Sequence, residues 1–521
     1  MTRITSLLGL IDHAGHRLAA ATQRRRLAVN AAVNWTGHLL QLAVAFYLSP
    51  ILVHGLGNQR YGLWTAIESI LAYLTLVALG LAASVVRYVA RHEARREWQS
   101  LNEVVNTSLA LFSLAGLAVL AVTAGLSAGL GSLLTLPPAQ RREAHWLLGV
   151  LGTNLAVSLP LSVFPAILDG LGRYTTKNAV MATVLLLRVP MSLIVIRHDL
   201  GLVGLALGTM ACNLLQHGLL AVLAVRALPS LRLSRRCVTR ATFRRIRSYS
   251  TDALLAMVAG RISFQTDSLV IAALLGPAPV TFFVLGARLV EHAKAFLRSA
   301  TTVLTPAISS LDARGEAETI RRLYLTTTRY VLWLVLPIQA GFLVFGRPFL
   351  RLWMGPSYAE AGYPVLVVLA VPLGLCMSQS VSGRICYGLG RLRLLSRAAL
   401  VEALVNLTMS LALAQPLGLV GVALGTAIPN LVFNTVILVS VCRMLALPVR
   451  QYLRQSFLAP AVGAGALAGG WLLAAGWHPP DTWPALLALG AAGVLGYGAG
   501  ALGWERGWWR RDGIRLGARR G

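Results

Sequence analysis

Charge is scarce in this chain of 521 residues. Asp, Glu, Lys and Arg together make 13% of it, about half the share of an ordinary soluble protein. With 56% hydrophobic residues and a mean hydropathy of +0.67, a disordered chain and a large soluble enzyme are both excluded. Lysine is almost missing, with only Lys177 and Lys294 present. The five cysteines (Cys212, Cys237, Cys376, Cys386, Cys442) are odd in number and scattered, so neither a disulfide framework nor metal-ligand spacing is expected. No Gly-rich phosphate loop is present, so ATP consumption is not expected and no cofactor is implied. A cleavable signal is not expected either. The first apolar run, Ile4 to Ile11, is short, and the basic cluster Arg24, Arg25, Arg26 comes after it. The segment 1–27 is therefore expected on the cytoplasmic surface as an interfacial helix.

What the chain has instead is apolar runs of a length that crosses a ~30 Å hydrocarbon layer. They fall at 28–54, 62–86, 104–134, 146–170, 178–196, 202–225, 251–275, 280–304, 328–346, 363–386, 397–414, 419–441, 456–476 and 484–503. None alternates with period two, which argues against a barrel. The expected class is therefore all-α: a polytopic membrane protein of about 14 transmembrane helices.

The formal charge of +28 comes from 47 Lys+Arg against 19 Asp+Glu. Nucleic acid is not the implied partner, because this charge lies between apolar spans and not on a soluble basic face. Placing the N-terminus inside puts about 35 basic residues in the inner connections and about 6 in the outer ones. Both termini are then expected in the cytoplasm, with membrane lipids as neighbours. The richest inner connection, 226–250, carries Arg226, Arg232, Arg235, Arg236, Arg240, Arg244, Arg245 and Arg247. It reads as a topology determinant touching anionic lipid, with docking of a partner protein as the alternative.

Two halves of the chain resemble each other. Gly170-Leu-Gly-Arg173 returns as Gly388-Leu-Gly-Arg391, and the nine residues from Gly201 to Thr209 return from Gly418 to Thr426 with one change. Leu56-Gly57 returns as Leu275-Gly276. The offset is about 218 residues throughout and spans six helices, an even number, so the copies are parallel repeats. The expected organisation is a cytoplasmic segment 1–27, an N-lobe 28–225 (helices 1–6), a basic linker 226–250, a C-lobe 251–441 (helices 7–12), an appended pair of helices 456–503 and a basic cytoplasmic tail 504–521.

Several stretches resemble one known family. Gly55-Leu-Gly-Asn-Gln-Arg-Tyr-Gly-Leu-Trp64, Leu79-Gly-Leu81 with Val86-Arg-Tyr88, Leu168-Asp-Gly-Leu-Gly-Arg-Tyr174 with Asn178, and Leu352-Trp-Met-Gly355 are similar to the polysaccharide biosynthesis (oligosaccharide/O-antigen-type) flippases. These belong to the multidrug/oligosaccharidyl-lipid/polysaccharide flippase superfamily. The resemblance covers about residues 30–445, and Ala78 departs from it where many members carry an acid. It implies a transporter, not an enzyme, that moves undecaprenyl-pyrophosphate-linked oligosaccharide from the cytoplasmic to the periplasmic leaflet of the bacterial inner membrane by alternating access. Surface polysaccharides such as lipopolysaccharide or exopolysaccharide would be the end product. Lipid-linked oligosaccharide and polysaccharide assembly proteins are the implied partners. A lipid II flippase, a drug/cation antiporter of the same superfamily, and a scaffold of a polysaccharide assembly complex remain alternatives. The longest outer loop, about 16 residues from Arg347 to Gly362, is too short for the outer segment expected of a membrane glycosyltransferase or polymerase.

Ionisable residues inside spans cost about 2.5–3.5 kcal/mol each and need a partner or water. Helices 7 and 8 hold a cluster: Arg261, Asp267, Arg288, Glu291, Lys294 and Arg298. At 100° per residue the last four share one face. Equal depth suggests an Asp267–Arg288 pair, and Glu291 is expected near Arg261 or Lys294. Arg261, Arg288, Lys294, Arg298 and, in helix 5, Arg188 are the candidate substrate-binding cations, since Arg and Lys hold phosphate well. Asp267, Glu291 and Glu68 are candidates for ion pairing or proton coupling. A purely structural lock between helices 7 and 8 is the competing reading.

Overall fold

The computed structural model describes residues 36–37, 39–133, 136, 138–244, 246, 262–301 and 304–517. Among these there is no strand. The helices in order are α1 (Leu39–Leu56), α2 (Asn58–Leu74), α3 (Leu76–Ala94), α4 (Trp98–Leu133), α5 (Pro138–Leu161), α6 (Val163–Gly170), α7 (Tyr174–Arg197) and α8 (Gly201–Ala227). After the linker come α9 (Ile262–Leu274), α10 (Pro277–Ala300), α11 (Leu304–Ala313), α12 (Ala317–Met354), α13 (Pro356–Ala370), α14 (Leu373–Gly388) and α15 (Leu392–Met444). Short α16 (Val449–Tyr452) leads into α17 (Leu458–Trp477), and α18 (Trp483–Gly517) closes the chain.

This is a multi-pass membrane protein. Nine described helices are long and apolar enough to cross a bilayer, or ten with the bent pair α13–α14 counted as one span. Their outer faces carry bare leucines: Leu114 is 65% exposed and Leu495 74%. In water such faces would drive aggregation, whereas in lipid they are at home.

Proline and glycine explain where the apolar runs break. The run 146–170 is two helices, parted at Ser162. Pro165 cannot donate to, and its ring crowds, the carbonyl four residues back at Leu161. Pro372 stands at the N-cap of α14 and marks a 42° bend after α13. Within α15, Gly418 takes φ 58° and ψ −137°, a conformation that excludes a Cβ, and so separates the spans expected at 397–414 and 419–441.

The sequence repeat has a backbone counterpart. Gly172 and Gly390 adopt φ 70° and 68°, Gly201 and Gly418 62° and 58°, and Gly57 and Gly276 79° and 92°. The turn after α6 is closed by Arg173 N–H to Leu168 O at 2.8 Å and Leu171 N–H to Ile167 O at 2.9 Å. The turn after α14 is closed by Arg391 N–H to Cys386 O and Leu389 N–H to Ile385 O at the same distances. Both are left-handed helix stops in which glycine carries the positive φ. The Gly-Leu-Gly-Arg motif is thus kept as a helix terminator.

The chain forms two compact units. The first contains the described parts of Met1–Gly55, Thr75–Ala128 and His145–Leu254. The second contains those of Leu56–Leu74, Gly129–Ala144 and Leu255–Gly521. Helix α2, numbered with the N-lobe by sequence order, thus packs in the second unit, along α10. The contact is close because Gly62 has no side chain: a Cβ there would lie 1.8 Å from the Pro277 carbonyl oxygen. Thr281 Oγ1 donates to Asn58 O at 2.7 Å across the same seam. Also in the second unit, α17 and α18 pack on α12 through Trp471, Phe345 and Leu467.

Candidate substrate cavity

A cavity of about 260 Å³ opens inside the second unit, among α9, α10, α13, α14 and both halves of α15. Helix α10 turns Glu291, Lys294 and Arg298 into it, residues spaced at three and seven and so stacked on one face. From the second half of α15 come Thr426, Asn430 and Asn434, each one turn apart, and from the first half Glu402. Helix α14 adds Cys376, Gln379 and Ser380.

The polar groups hold one another. Lys294 Nζ donates to Glu291 Oε1 at 2.8 Å, with the lysine side chain 13% exposed. Asn430 Nδ2 and Asn434 Nδ2 donate to the helix carbonyls of Thr426 and Asn430, at 2.9 and 2.7 Å. Cys376 Sγ sits between the two amides, 3.3 Å from Asn430 Oδ1 and from Asn434 Nδ2. At the α9 wall Asp267 is buried, accepting from Thr426 Oγ1 at 2.6 Å and Ser410 Oγ at 3.4 Å. A hydroxyl- and amide-lined hollow with an ammonium and a guanidinium can hydrogen-bond a polyhydroxylated or phosphate-bearing group, and its apolar surroundings strengthen each contact.

Comparison with known proteins decides the family. A sequence model of the polysaccharide biosynthesis protein family matches residues 27–312, more than half of the chain. The chain belongs to that family. It is 20% identical to the uncharacterized membrane protein EpsK of Bacillus subtilis over 482 residues, 89% of this chain and 92% of that protein. It is 25% identical over 190 residues to Agl15 of Haloferax volcanii, a probable low-salt glycan biosynthesis flippase, covering 36% of this chain and 40% of that one. Among solved structures the fold resembles the lipid II flippase MurJ in an inward closed conformation, with a TM-score of 0.74, 13% identity, and 94% and 100% of the two chains covered. It also resembles an inward-facing MATE family multidrug resistance transporter, with a TM-score of 0.66, 17% identity, and 78% and 98% covered. These two solved structures, both at under 20% identity, show that the chain has their fold.

Within this polysaccharide biosynthesis protein, the charged cluster expected on helices 7 and 8 divides. Glu291, Lys294, Arg298 and Asp267 meet at the cavity. Arg261 lies outside the described residues. The expected Asp267–Arg288 pair gives way to other partners. Arg288 donates to Tyr61 Oη at 2.6 Å and stands 3.8 Å from Glu68, both on α2. The cause is the glycine-enabled approach of α2, which brings Tyr61 and Glu68 to the N-terminal half of α10. Asp267 is satisfied instead by the hydroxyls of α15. The described lining therefore carries two basic groups (Lys294, Arg298) and three acidic ones (Asp267, Glu291, Glu402), whereas the six-residue cluster of helices 7 and 8 holds four basic and two acidic groups.

Arg188 lies in the first unit and donates to Asn213 Oδ1. It lines a second cavity, about 230 Å³, with Gln41, Asn178 and Gln216. Glu402, Gln379, Asn430 and Asn434 were not among the site residues expected from the sequence. Their signal was present: Thr426, Asn430 and Asn434 recur every fourth residue through an otherwise apolar span, a polar stripe at helical period.

Proposed function

We propose that this protein flips an undecaprenyl-pyrophosphate-linked oligosaccharide from the cytoplasmic to the periplasmic leaflet of the bacterial inner membrane, for surface polysaccharide synthesis. The observation that carries the reading is the polar cavity enclosed by membrane helices, with Lys294 and Arg298 on its α10 wall. The pyrophosphate would be drawn by these two cations. Glu291 holds Lys294 at 2.8 Å, so an incoming pyrophosphate competes for the same ammonium and the pair can re-form as the substrate leaves. Glu402, Gln379, Asn430 and Asn434 offer donors and acceptors to sugar hydroxyls. The isoprenoid tail stays in lipid, since packing it into this polar hollow would leave the lining groups without hydrogen-bond partners.

The name of the Haloferax volcanii relative, a probable glycan biosynthesis flippase, agrees with this substrate class. Lipid II is the second reading, favoured by the fold match to MurJ over 94% of this chain. The test is transport by the purified protein in proteoliposomes loaded with a fluorescent lipid-linked oligosaccharide or with lipid II. Protein-dependent movement of the oligosaccharide-linked lipid across the bilayer is expected. Movement of lipid II alone would replace the substrate, and movement of neither would refute a flippase.

A further inference from the structure

The basic linker after α8 is built into the first unit in a way that a merely solvated loop is not. Asn102 and Asn106 stand one turn apart on α4. Asn102 Nδ2 donates to Ser230 O at 3.0 Å, and its Oδ1 accepts from Arg232 N at 2.7 Å. Asn106 Nδ2 donates to Arg232 O at 2.8 Å, and its Oδ1 accepts from Ser234 N at 2.8 Å. The two amides therefore act as a neighbouring strand would, pairing with alternate residues of the segment 230–234. Arg232 has both its N–H and its C=O fixed.

The clamp continues past this segment. Ser234 Oγ accepts from Arg236 N and caps the short turn Arg235–Cys237. Thr239 N donates to Thr107 Oγ1, and Thr242 Oγ1 donates to Glu103 Oε2 at 3.2 Å. Ile246 is fully buried against Tyr88 and Val104. Four neighbouring residues of α4 are thus hydrogen-bonded to this linker, and Val104 packs against it. What it presents outward is Arg232, Arg235, Arg236, Arg240 and Arg244, all exposed, among exposed Leu233, Val238 and Phe243. The segment 226–250 has eight arginines and no acid.

We infer that the clamped segment 230–244 is a dock for anionic phospholipid headgroups, in which fixed arginines meet lipid phosphates and Leu233, Val238 and Phe243 enter the acyl boundary. Charge complementarity favours lipid. Guanidinium groups bind phosphate bidentately, and apolar side chains interleaved with arginine suit the headgroup–acyl boundary better than open water. The pre-set backbone lowers the ordering cost of binding. This dock is separate from the transport cavity and does not depend on which lipid-linked substrate is carried.

Cys237 lies within the segment and is half-buried, while the other four cysteines are buried. A fluorophore placed on it in the full-length protein, reconstituted in nanodiscs, reports the surface through quenching by neutral acrylamide. Quenching is expected to fall at least about twofold when phosphatidylcholine is replaced by an equal mixture with phosphatidylglycerol, and to recover at about 1 M salt, where the screening length is about 3 Å. An arginine near an anionic surface is worth about fivefold in binding, so the triple variant Arg232→Gln, Arg235→Gln, Arg236→Gln loses on the order of 100-fold and with it the lipid dependence. Asn102→Ala with Asn106→Ala keeps every arginine and is expected to lose most of the same effect. Equal quenching in both lipids, or full lipid dependence in the asparagine variant, overturns the proposal. So does shielding that ignores lipid charge and needs a second protein, which would make the segment a protein-docking surface.

Discussion

Removing Glu505 should loosen the appended helices more than any surface change. Only 6% of the most apolar stretch of α18 is buried, so few contacts hold it. One of them is a buried ion pair. The Arg329 guanidinium on α12 lies 2.8 Å from the Glu505 carboxylate and donates to its second oxygen at 3.0 Å. Trp333 Nε1 donates to the same carboxylate at 3.1 Å, and Arg329 also reaches Gln455 O at 3.3 Å. The two side chains are 3% and 12% exposed, so solvent screening is slight. Glu505→Ala strands a buried guanidinium and should cost about 3–5 kcal/mol. Arg329→Met combined with Glu505→Leu removes both charges and should recover most of that loss. Unfolding in mixed detergent micelles, followed by tryptophan fluorescence, measures both variants. A loss below about 1 kcal/mol for Glu505→Ala, or a double variant no better than the single, would refute a buried pair.

Other outcomes follow from the same geometry. Gly62→Ala puts a Cβ where the Pro277 carbonyl oxygen lies 1.8 Å away, so α2 and α10 must part; a loss of about 1–3 kcal/mol is expected, against no loss for Gly149→Ala, where no atom lies within 4 Å of the added carbon. Gly172→Ala and Gly390→Ala should each cost about 1 kcal/mol, and alike, because both sit at φ near 70° in the same hydrogen-bonded turn; one silent and one severe would break the equivalence of the repeats. In the connection between α3 and α4, a hydrogen bond from His92 at 2.6 Å holds the Glu97 carboxyl below the ordinary glutamate range. Its contribution is therefore present above that range and lost as pH falls through the lowered value. His92→Ala should move this acid limb of the thermal-stability profile to higher pH, and an unmoved limb would dismiss the bond.

Much of the fold was legible because membrane helices write themselves as long apolar runs and their ends as glycine and proline. The nine residues from Gly201 that return at Gly418 each open with a left-handed glycine, so the repeat seen in letters is a repeat of turns. The candidate site was legible in part. Periodicity placed Glu291, Lys294 and Arg298 on one face, and the cavity is there. Pairing was not legible, since it depends on which helix approaches. Arg288 matched Asp267 in depth along the chain, yet the absent side chain of Gly62 lets α2 deliver Tyr61 and Glu68 to it first. Glu402 and the Asn430–Asn434 stripe were readable as polar interruptions but had no partner in sequence to give them a role.

In the proposed function the cations of the α10 wall receive the anionic head of a lipid-linked glycan. Flipping of a fluorescent undecaprenyl-pyrophosphate oligosaccharide in proteoliposomes tests it with Lys294→Met and Arg298→Gln, each at matched protein level. Rates are expected to fall at least about tenfold in each, the loss of roughly one charge-assisted contact of 1.5–3 kcal/mol. Rates equal to the unaltered protein in both variants would contradict it.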